Sequence, residues 1–142
     1  MWTFFTNDTC RPSRNPDTPC TIGNYPVYVI LAKTTNDIKA GVDFARQNNI
    51  RLVLRNTGHD FEGRSVGWGS LVINTHSFQK FGFHEKWTGP GTWKGGAATL
   101  ECGVQARHFL SEAHKLNPPK IIHTGEYPVR IILFNHIYLF IG

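Results

Sequence analysis

The sequence lacks the patterns that mark metal sites and membrane segments. It has seven histidines and three cysteines, but no C-x-x-C or H-E-x-x-H pattern. His108 and His114 are six residues apart, a spacing that does not place both on one helical face. We therefore expect no metal ligands. The longest apolar stretch, near the C-terminus, is interrupted by Asn135-His136 and is shorter than the ~20 residues of a membrane helix. No membrane association is expected.

Dense runs of basic residues are also missing. The chain has 15 Lys and Arg against 10 Asp and Glu, a formal net charge of +5, and the basic residues are scattered. Nucleic-acid binding needs a basic patch on one face, so we expect a solvated basic surface and no nucleic-acid partner. No internal repeat occurs. A chain of 142 residues suits one domain that can build a core without metal or disulfide.

The N-terminal segment, residues 1–26, is poor in residues that could form a core. Cys10 and Cys20 bracket a stretch of proline and polar residues, and a disulfide between them would order it. Asn7-Asp8-Thr9 matches a glycosylation acceptor. Both features are typical of secreted proteins, so we predict the secretory route or an extracellular location. The first five residues lack the basic and apolar regions of a signal peptide, and none is expected in this chain.

The next residues predict a strand, a helix and a second strand. Runs rich in β-formers assign the strands to residues 27–31 and 51–55. The helix is expected to begin after an N-cap in Thr34-Thr35-Asn36-Asp37 and to end at Asn48-Asn49, with Ile38, Val42 and Ala45 at helical spacing. This order predicts a βαβ unit with parallel strands and a right-handed crossover.

The remainder predicts an α+β domain with further short strands. Residues 71–74 and 97–102 read as strands, and 81–96 as turns around short or edge strands. A helix from Val104 is expected to stop before Asn117-Pro118-Pro119 because proline cannot continue it. Residues 121–123 are predicted to form a buried strand.

A Gly-rich loop, residues 55–69, follows the second strand. At the carboxyl end of a parallel strand, glycines let the backbone approach a ligand and direct N–H groups at a phosphate. The loop is therefore a candidate pyrophosphate site, and a plain long turn is the alternative.

The same loop holds a second pattern, Gly63-Arg64-Ser65-Val66-Gly67, which matches the nucleophile elbow of serine hydrolases. A polar loop rather than a strand precedes Ser65, which argues against this interpretation. Glu101 and His123 could complete a Ser, acid, His order, so a serine hydrolase stays open as an alternative.

One motif and its flanks match a known family. Arg55-Asn56-Thr57-Gly58-His59-Asp60 is preceded in register by Asn49–Val53 and by the helix end Phe44-Ala45-Arg46, and further upstream by Cys10–Cys20 and Thr21–Tyr28. Over residues 7–128 the chain resembles the berberine bridge enzyme-like FAD-linked oxidoreductases, particularly their fungal branch. These belong to the vanillyl-alcohol oxidase group, with its PCMH-type FAD-binding domain.

The resemblance implies a fold, a cofactor and a chemistry. Residues 27–128 would form the N-terminal half of a PCMH-type FAD-binding domain, and the loop would wrap the FAD pyrophosphate. The histidine that matches His59 is linked covalently to the 8α methyl of the isoalloxazine. The protein would oxidise a small organic substrate, with molecular oxygen as a common electron acceptor. The residues implied in FAD binding are Asn56, Thr57, Gly58, His59, Asp60, Gly63 and Ser65.

The chain also departs from the family pattern. It contains no residue that can be assigned as the catalytic base, so we expect the chain alone to be inactive, and a non-enzymatic remnant of a flavin domain is a further alternative. Tyr127 stands where bicovalent members have a cysteine. The apolar tail, residues 129–142, replaces the expected Gly-rich continuation. We expect it to come from a gene model that reads into an intron, which transcript sequencing would test; a genuine terminal β-segment is the alternative.

Overall fold

A computed structural model describes residues 13–89, 91–121 and 137–141. The chain divides after Thr75 into two units. The first unit combines a helix with a parallel sheet, and the second combines a helix with an antiparallel sheet. The predicted α+β class is confirmed.

The first unit contains β1 (Tyr28–Leu31), α1 (Thr35–Gln47), β2 (Leu52–Arg55) and β3 (Leu71–Asn74). The strands are parallel, as predicted, but β1 and β2 are not neighbours because β3 pairs with both and lies between them. A central strand of a covered parallel sheet is apolar on both faces. The central strand β3 fits that position, since its three apolar residues are all buried: Leu71, Val72 and Ile73.

Helix α1 begins at a capping box. The Thr34 hydroxyl accepts a hydrogen bond from the Asp37 N–H (3.2 Å), and the Asp37 carboxylate accepts one from the Thr34 N–H (2.8 Å). Two of the N–H groups that a helix start leaves unpaired are thereby satisfied. At the other end, Asn49 adopts a left-handed φ of 51°, which ends the helix at the predicted residues.

The face that α1 turns to the sheet differs in part from the predicted one. Gly41 and Ala45 are buried, whereas Val42 is 39% exposed. A Cβ at Gly41 would lie 2.8 Å from Ile73 Cδ1 and 2.9 Å from Ile30 Cδ1. The glycine therefore sets the close approach of α1 to the sheet, and the contact stripe passes through it rather than through Val42.

The second unit contains β4 (Phe81–His84), β5 (Gly96–Leu100), α2 (Ala106–His114) and β6 (Ile137–Ile141). The three strands are antiparallel, with β5 in the centre. The short strand and turns predicted over 81–96 are present, and residues 137–141 of the tail form β6. The intron origin expected for the tail stays a prediction. Residue 121 is not in a strand, and residues 122–123 lie outside the described part of the chain.

The core of the second unit is built on Phe109, which is fully buried on α2. Its ring stacks on Phe83, with centroids 5.0 Å apart, and meets Phe81 edge-on at 5.5 Å. Cys102 is buried, as expected for a small hydrophobe. Within the described residues, neither helix has the length and apolar character needed to cross a membrane.

Candidate cofactor-binding site

The loop that leaves the carboxyl end of β2 spans residues 56–70 and returns to the central strand β3. It closes at Ser70, whose buried hydroxyl donates to the Gly67 carbonyl at 2.6 Å. In open sheets of this kind, ligands bind outside the carboxyl ends of the strands. Because the loop follows the carboxyl end of β2, it lies where a ligand site is expected.

A pocket of about 110 Å³ opens within the first unit. Ligand pockets usually enclose about 300–1,000 Å³, so this one suits a single group of a ligand, such as a phosphate, rather than a whole dinucleotide. Its walls are Tyr25, Arg55, Gly58, Asp60, Gly63, Ser65 and Val66.

The pocket brings together four of the seven residues implied in FAD binding: Gly58, Asp60, Gly63 and Ser65. Asn56 and Thr57 are half-buried and His59 is exposed, and none of the three lines it. Sequence reasoning missed Tyr25, Arg55 and Val66 as pocket residues. The sequence feature that could have identified Arg55 is its position as the single charged residue at the end of an otherwise apolar strand.

Two glycines shape the pocket wall. Gly58 has φ 92° and Gly63 has φ 76°, a region that residues with a Cβ rarely adopt. A Cβ at Gly58 would also lie 2.9 Å from Nε and 3.1 Å from Nη2 of Arg55. Gly58 is thus required both by its backbone conformation and by the close approach of the guanidinium.

Asp60 is held by Arg64. Its carboxylate accepts hydrogen bonds from the Arg64 backbone N–H (3.0 Å) and Nε (2.9 Å) and lies 2.7 Å from Nη2. The Arg64 guanidinium, and then the Arg64 backbone N–H, hold the pKa of Asp60 below its ordinary value, and the same pairing raises the pKa of Arg64. The pair fixes the turn at residues 60–64 and balances the charge of Asp60.

Arg55, by contrast, keeps an unpaired polar atom. Its Nε is buried and has no hydrogen-bond partner among the described residues. A buried donor without an acceptor costs about 1–3 kcal/mol, so an acceptor supplied by a ligand would be favourable. Left-handed glycines, a phosphate-sized pocket and an arginine Nε without an acceptor all fit the pyrophosphate of FAD.

The hydrolase alternative is not supported by the local structure. Ser65 lies in a turn, without the preceding strand and following helix that an elbow requires. The Glu101 carboxylate accepts the backbone N–H of Lys80 at 2.8 Å, and His123 lies outside the described residues. Within the part of the chain that the structure covers, no group of three His, Cys, Asp or Glu could hold a metal ion.

The sequence and structure are similar to known flavoproteins. A family model described as FAD binding domain matches residues 26–117. The FAD-linked oxidoreductase ZEB1 of Gibberella zeae is 44% identical over 128 residues, which cover 90% of this chain and 22% of that protein.

Solved structures give the same result. The VAO-type flavoprotein MtVAO615 of Myceliophthora thermophila superposes with a TM-score of 0.77 at 35% identity, covering 87% of this chain and 22% of that one. MtVAO713 of the same organism gives 0.74 at 34% identity, with coverage of 87% and 23%. The chain thus spans about a fifth of the length of the relatives it matches and belongs to the FAD-binding-domain family of the VAO-type, FAD-linked oxidoreductases.

Proposed function

We propose that this chain is the flavin-holding segment of an FAD-dependent oxidoreductase and that the loop of residues 56–70 binds the FAD pyrophosphate. The observation that carries the proposal is the pocket between Arg55, Gly58, Gly63 and Ser65, which combines left-handed glycines with an arginine whose buried Nε has no hydrogen-bond partner among the described residues. When bound, FAD supplies a two-electron acceptor for the oxidation of a small organic substrate, with molecular oxygen as a terminal acceptor.

The residues of the loop have distinct roles in this proposal. Gly58 and Gly63 let the backbone approach the phosphates, and the Ser65 hydroxyl is a donor at the pocket wall. Asp60 holds the turn through Arg64 rather than facing the ligand with a free charge. Asn56 and Thr57 directly precede Gly58 and remain proposed contacts to FAD.

His59 is proposed as the covalent attachment point of the flavin. It is exposed and precedes the Asp60 turn, and in this proposal it meets the part of FAD that extends beyond the pocket. A neutral imidazole nitrogen is a competent nucleophile. A cysteine link through position 127 is absent from this proposal because a tyrosine stands there and a phenol is a far weaker nucleophile at neutral pH than a thiol.

The test is denaturation of the purified natural protein that contains this chain. Flavin colour should stay with the acid-precipitated protein in the wild type and in Tyr127→Ala. It should pass entirely to the supernatant in His59→Ala, whereas His114→Ala, an exposed histidine on α2, should behave as wild type. Flavin retained on denatured His59→Ala protein would refute the linkage, and a colourless wild type would favour the non-enzymatic remnant.

We also propose that the protein matures in the secretory route or outside the cell. The support is the Cys10 and Cys20 spacing and the Asn7-Asp8-Thr9 pattern. Cys10 lies outside the described residues, so the disulfide stays a prediction. Closing a loop of about eleven residues should stabilise the fold by roughly 2–3 kcal/mol. Non-reducing mass spectrometry of secreted material should find the two cysteines joined, and two free thiols would remove the basis for this location.

A further inference from the structure

The pocket in the loop contains a positive charge that its neighbours leave unbalanced. Among the residues that the structure describes, two charged residues line it, Arg55 and Asp60. Asp60 is already paired with Arg64 at 2.7 Å, and Glu62 is exposed and does not line the pocket. The guanidinium of Arg55 is therefore the charge that remains for a ligand, and the group that enters should be an anion.

The Arg55 side chain is also held in place. It ends β2 in register with Asn74 of the central strand, and its guanidinium lies against Gly58, with Cζ 3.2 Å from the position of a Cβ. A planar guanidinium presents several donors in a rigid fork that matches phosphate oxygens. Because the strand and Gly58 fix the fork, less side-chain freedom is lost when an anion binds.

We propose that Arg55 is the residue that anchors the FAD pyrophosphate in this pocket, as an affinity-determining and positioning residue rather than a catalytic one. The inference rests on the proposed function and deepens it, because it assigns the electrostatic part of binding to one side chain and leaves the isoalloxazine to other contacts. Replacing Arg55 should then weaken the binding of flavins that carry a pyrophosphate. It should leave the binding of riboflavin, which carries no phosphate, unchanged.

Arg51 provides a matched control. It stands directly before β2, and its guanidinium also lies against a loop glycine, with Cζ and Nε both 3.1 Å from the position of a Cβ on Gly67. It does not line the pocket. Arg51→Gln therefore removes the same charge from a similar contact without touching the proposed anion site.

The experiment uses the natural protein that contains this chain, in a His59→Ala background so that the flavin exchanges freely. Dissociation constants for FAD and riboflavin are measured by flavin fluorescence in the parent, Arg55→Gln, Arg55→Lys and Arg51→Gln, after circular dichroism has verified folding. Loss of a charge-assisted hydrogen-bond set should weaken FAD binding about 10- to 100-fold in Arg55→Gln. Arg55→Lys should weaken FAD binding by a smaller factor than Arg55→Gln, but still by about threefold or more. Riboflavin affinity should be unchanged in every variant, and FAD affinity should be unchanged in Arg51→Gln.

The possible results distinguish a failure of this inference from a failure of the proposed function. The role of Arg55 would be overturned if folded Arg55→Gln bound FAD as tightly as the parent, or if it lost equal affinity for FAD and riboflavin. In either case, FAD binding by the parent would still support the proposed function. A parent that binds neither flavin would overturn both. If Arg55→Gln does not fold, the same comparison made with Arg55→Lys decides, and an unchanged FAD affinity there would refute the proposal.

Discussion

Gly58 carries two constraints at once, which makes it the most sensitive single residue of the loop. Its φ of 92° and its approach to Arg55 both exclude a side chain. Gly58→Ala should destabilise the protein by about 1–2 kcal/mol through the backbone conformation alone. It should also weaken FAD binding, because the new methyl displaces the guanidinium. Urea denaturation and FAD titration measure the two effects separately.

Gly69 serves as the control for Gly58. It has φ 66°, but a Cβ there would meet nothing within 4 Å. Gly69→Ala should therefore lose stability by a similar amount and keep FAD affinity. If both variants lost FAD affinity equally, the contact between Gly58 and Arg55 would not be the cause.

Asp60 should make stability depend on acid pH. Its pKa is lowered mainly by the Arg64 side chain, so its stabilising effect is complete above the unfolded pKa of about 3.9 and is lost as pH falls through the lower folded value. Asp60→Asn should thus have a lower Tm than wild type at neutral pH, and the two melting temperatures should converge in strong acid. Arg64 is largely exposed and solvent reaches part of Asp60, so the difference should be small.

Glu62→Gln is the matched variant, because it removes one negative charge from an exposed side chain of the same turn. Its Tm should follow that of the wild type from pH 3 to pH 8. A difference in Tm between wild type and Asp60→Asn that persisted unchanged at pH values below the folded pKa of Asp60 would contradict the role of the ionised carboxylate.

Some residue roles could be predicted from the sequence and others could not. Gly58 and Gly63 were identified because the motif at residues 55–60 and its flanks resemble a flavoprotein family, whereas the Gly-rich loop alone also fitted a plain long turn. The role of Asp60 as the partner of Arg64 depends on the turn that the loop adopts, and local spacing does not determine that turn. Arg55 was missed because the direction of a strand's last side chain follows from pairing with β3, which lies 16 residues further along.

At the scale of single elements, the capping box should contribute measurably to α1. Thr34→Ala removes the hydroxyl that accepts the Asp37 N–H and should lower the free energy of unfolding by about 1 kcal/mol. Thr35→Ala, one residue inside the helix and exposed, should change it by less than about 0.5 kcal/mol. Equal losses in the two variants in urea denaturation would show that the cap is not the source of the effect.

The contact between α1 and the sheet should not tolerate a larger residue at Gly41. Gly41→Leu forces a side chain into the space occupied by the Ile30 and Ile73 methyl groups and should cost about 1–3 kcal/mol. Ala40→Leu adds comparable bulk on the exposed side of the same helix and should be nearly neutral. A Gly41→Leu protein as stable as wild type would contradict this packing.

The elements themselves were largely predictable, because capping residues and apolar runs are local signals. Helix α1 ends where Asn48-Asn49 predicted, and β3 has its predicted bounds. The order of the strands was not predictable, since insertion of β3 between β1 and β2 depends on which strand buries both faces. The α1 stripe was misplaced at Val42 because Gly41, which makes the contact, has no side chain to produce a hydrophobic pattern.

At the scale of the whole molecule, the first unit exposes apolar side chains on its sheet. Tyr28 is 73% exposed and Leu31 66% on β1, and Leu54 is 62% exposed on β2. Because side chains alternate along a strand, Tyr28 and Leu31 lie on opposite faces, so both faces of the sheet carry exposed apolar groups, which promote association. The 142-residue chain expressed alone should therefore self-associate in size-exclusion chromatography with light scattering, and it should bind FAD weakly.

A charge on the edge strand should reduce that association, because edge lysines oppose strand pairing. Leu31→Lys, on β1, should shift the elution toward the monomer, while Lys33→Ala, exposed just beyond the strand, should not. A wild-type chain that eluted as a monomer and bound FAD stoichiometrically would contradict this expectation.

We propose above that the loop after β2 holds FAD and that the flavin is attached through His59. Trypsin cuts after Arg55 and Arg64 and releases residues 56–64, in which His59 is the only histidine. The most direct measurement is the mass of this peptide from the purified natural protein. The peptide mass should be increased by the mass of one FAD. An unmodified peptide would contradict the attachment through His59, and a protein that also contains no flavin would contradict FAD binding by the loop.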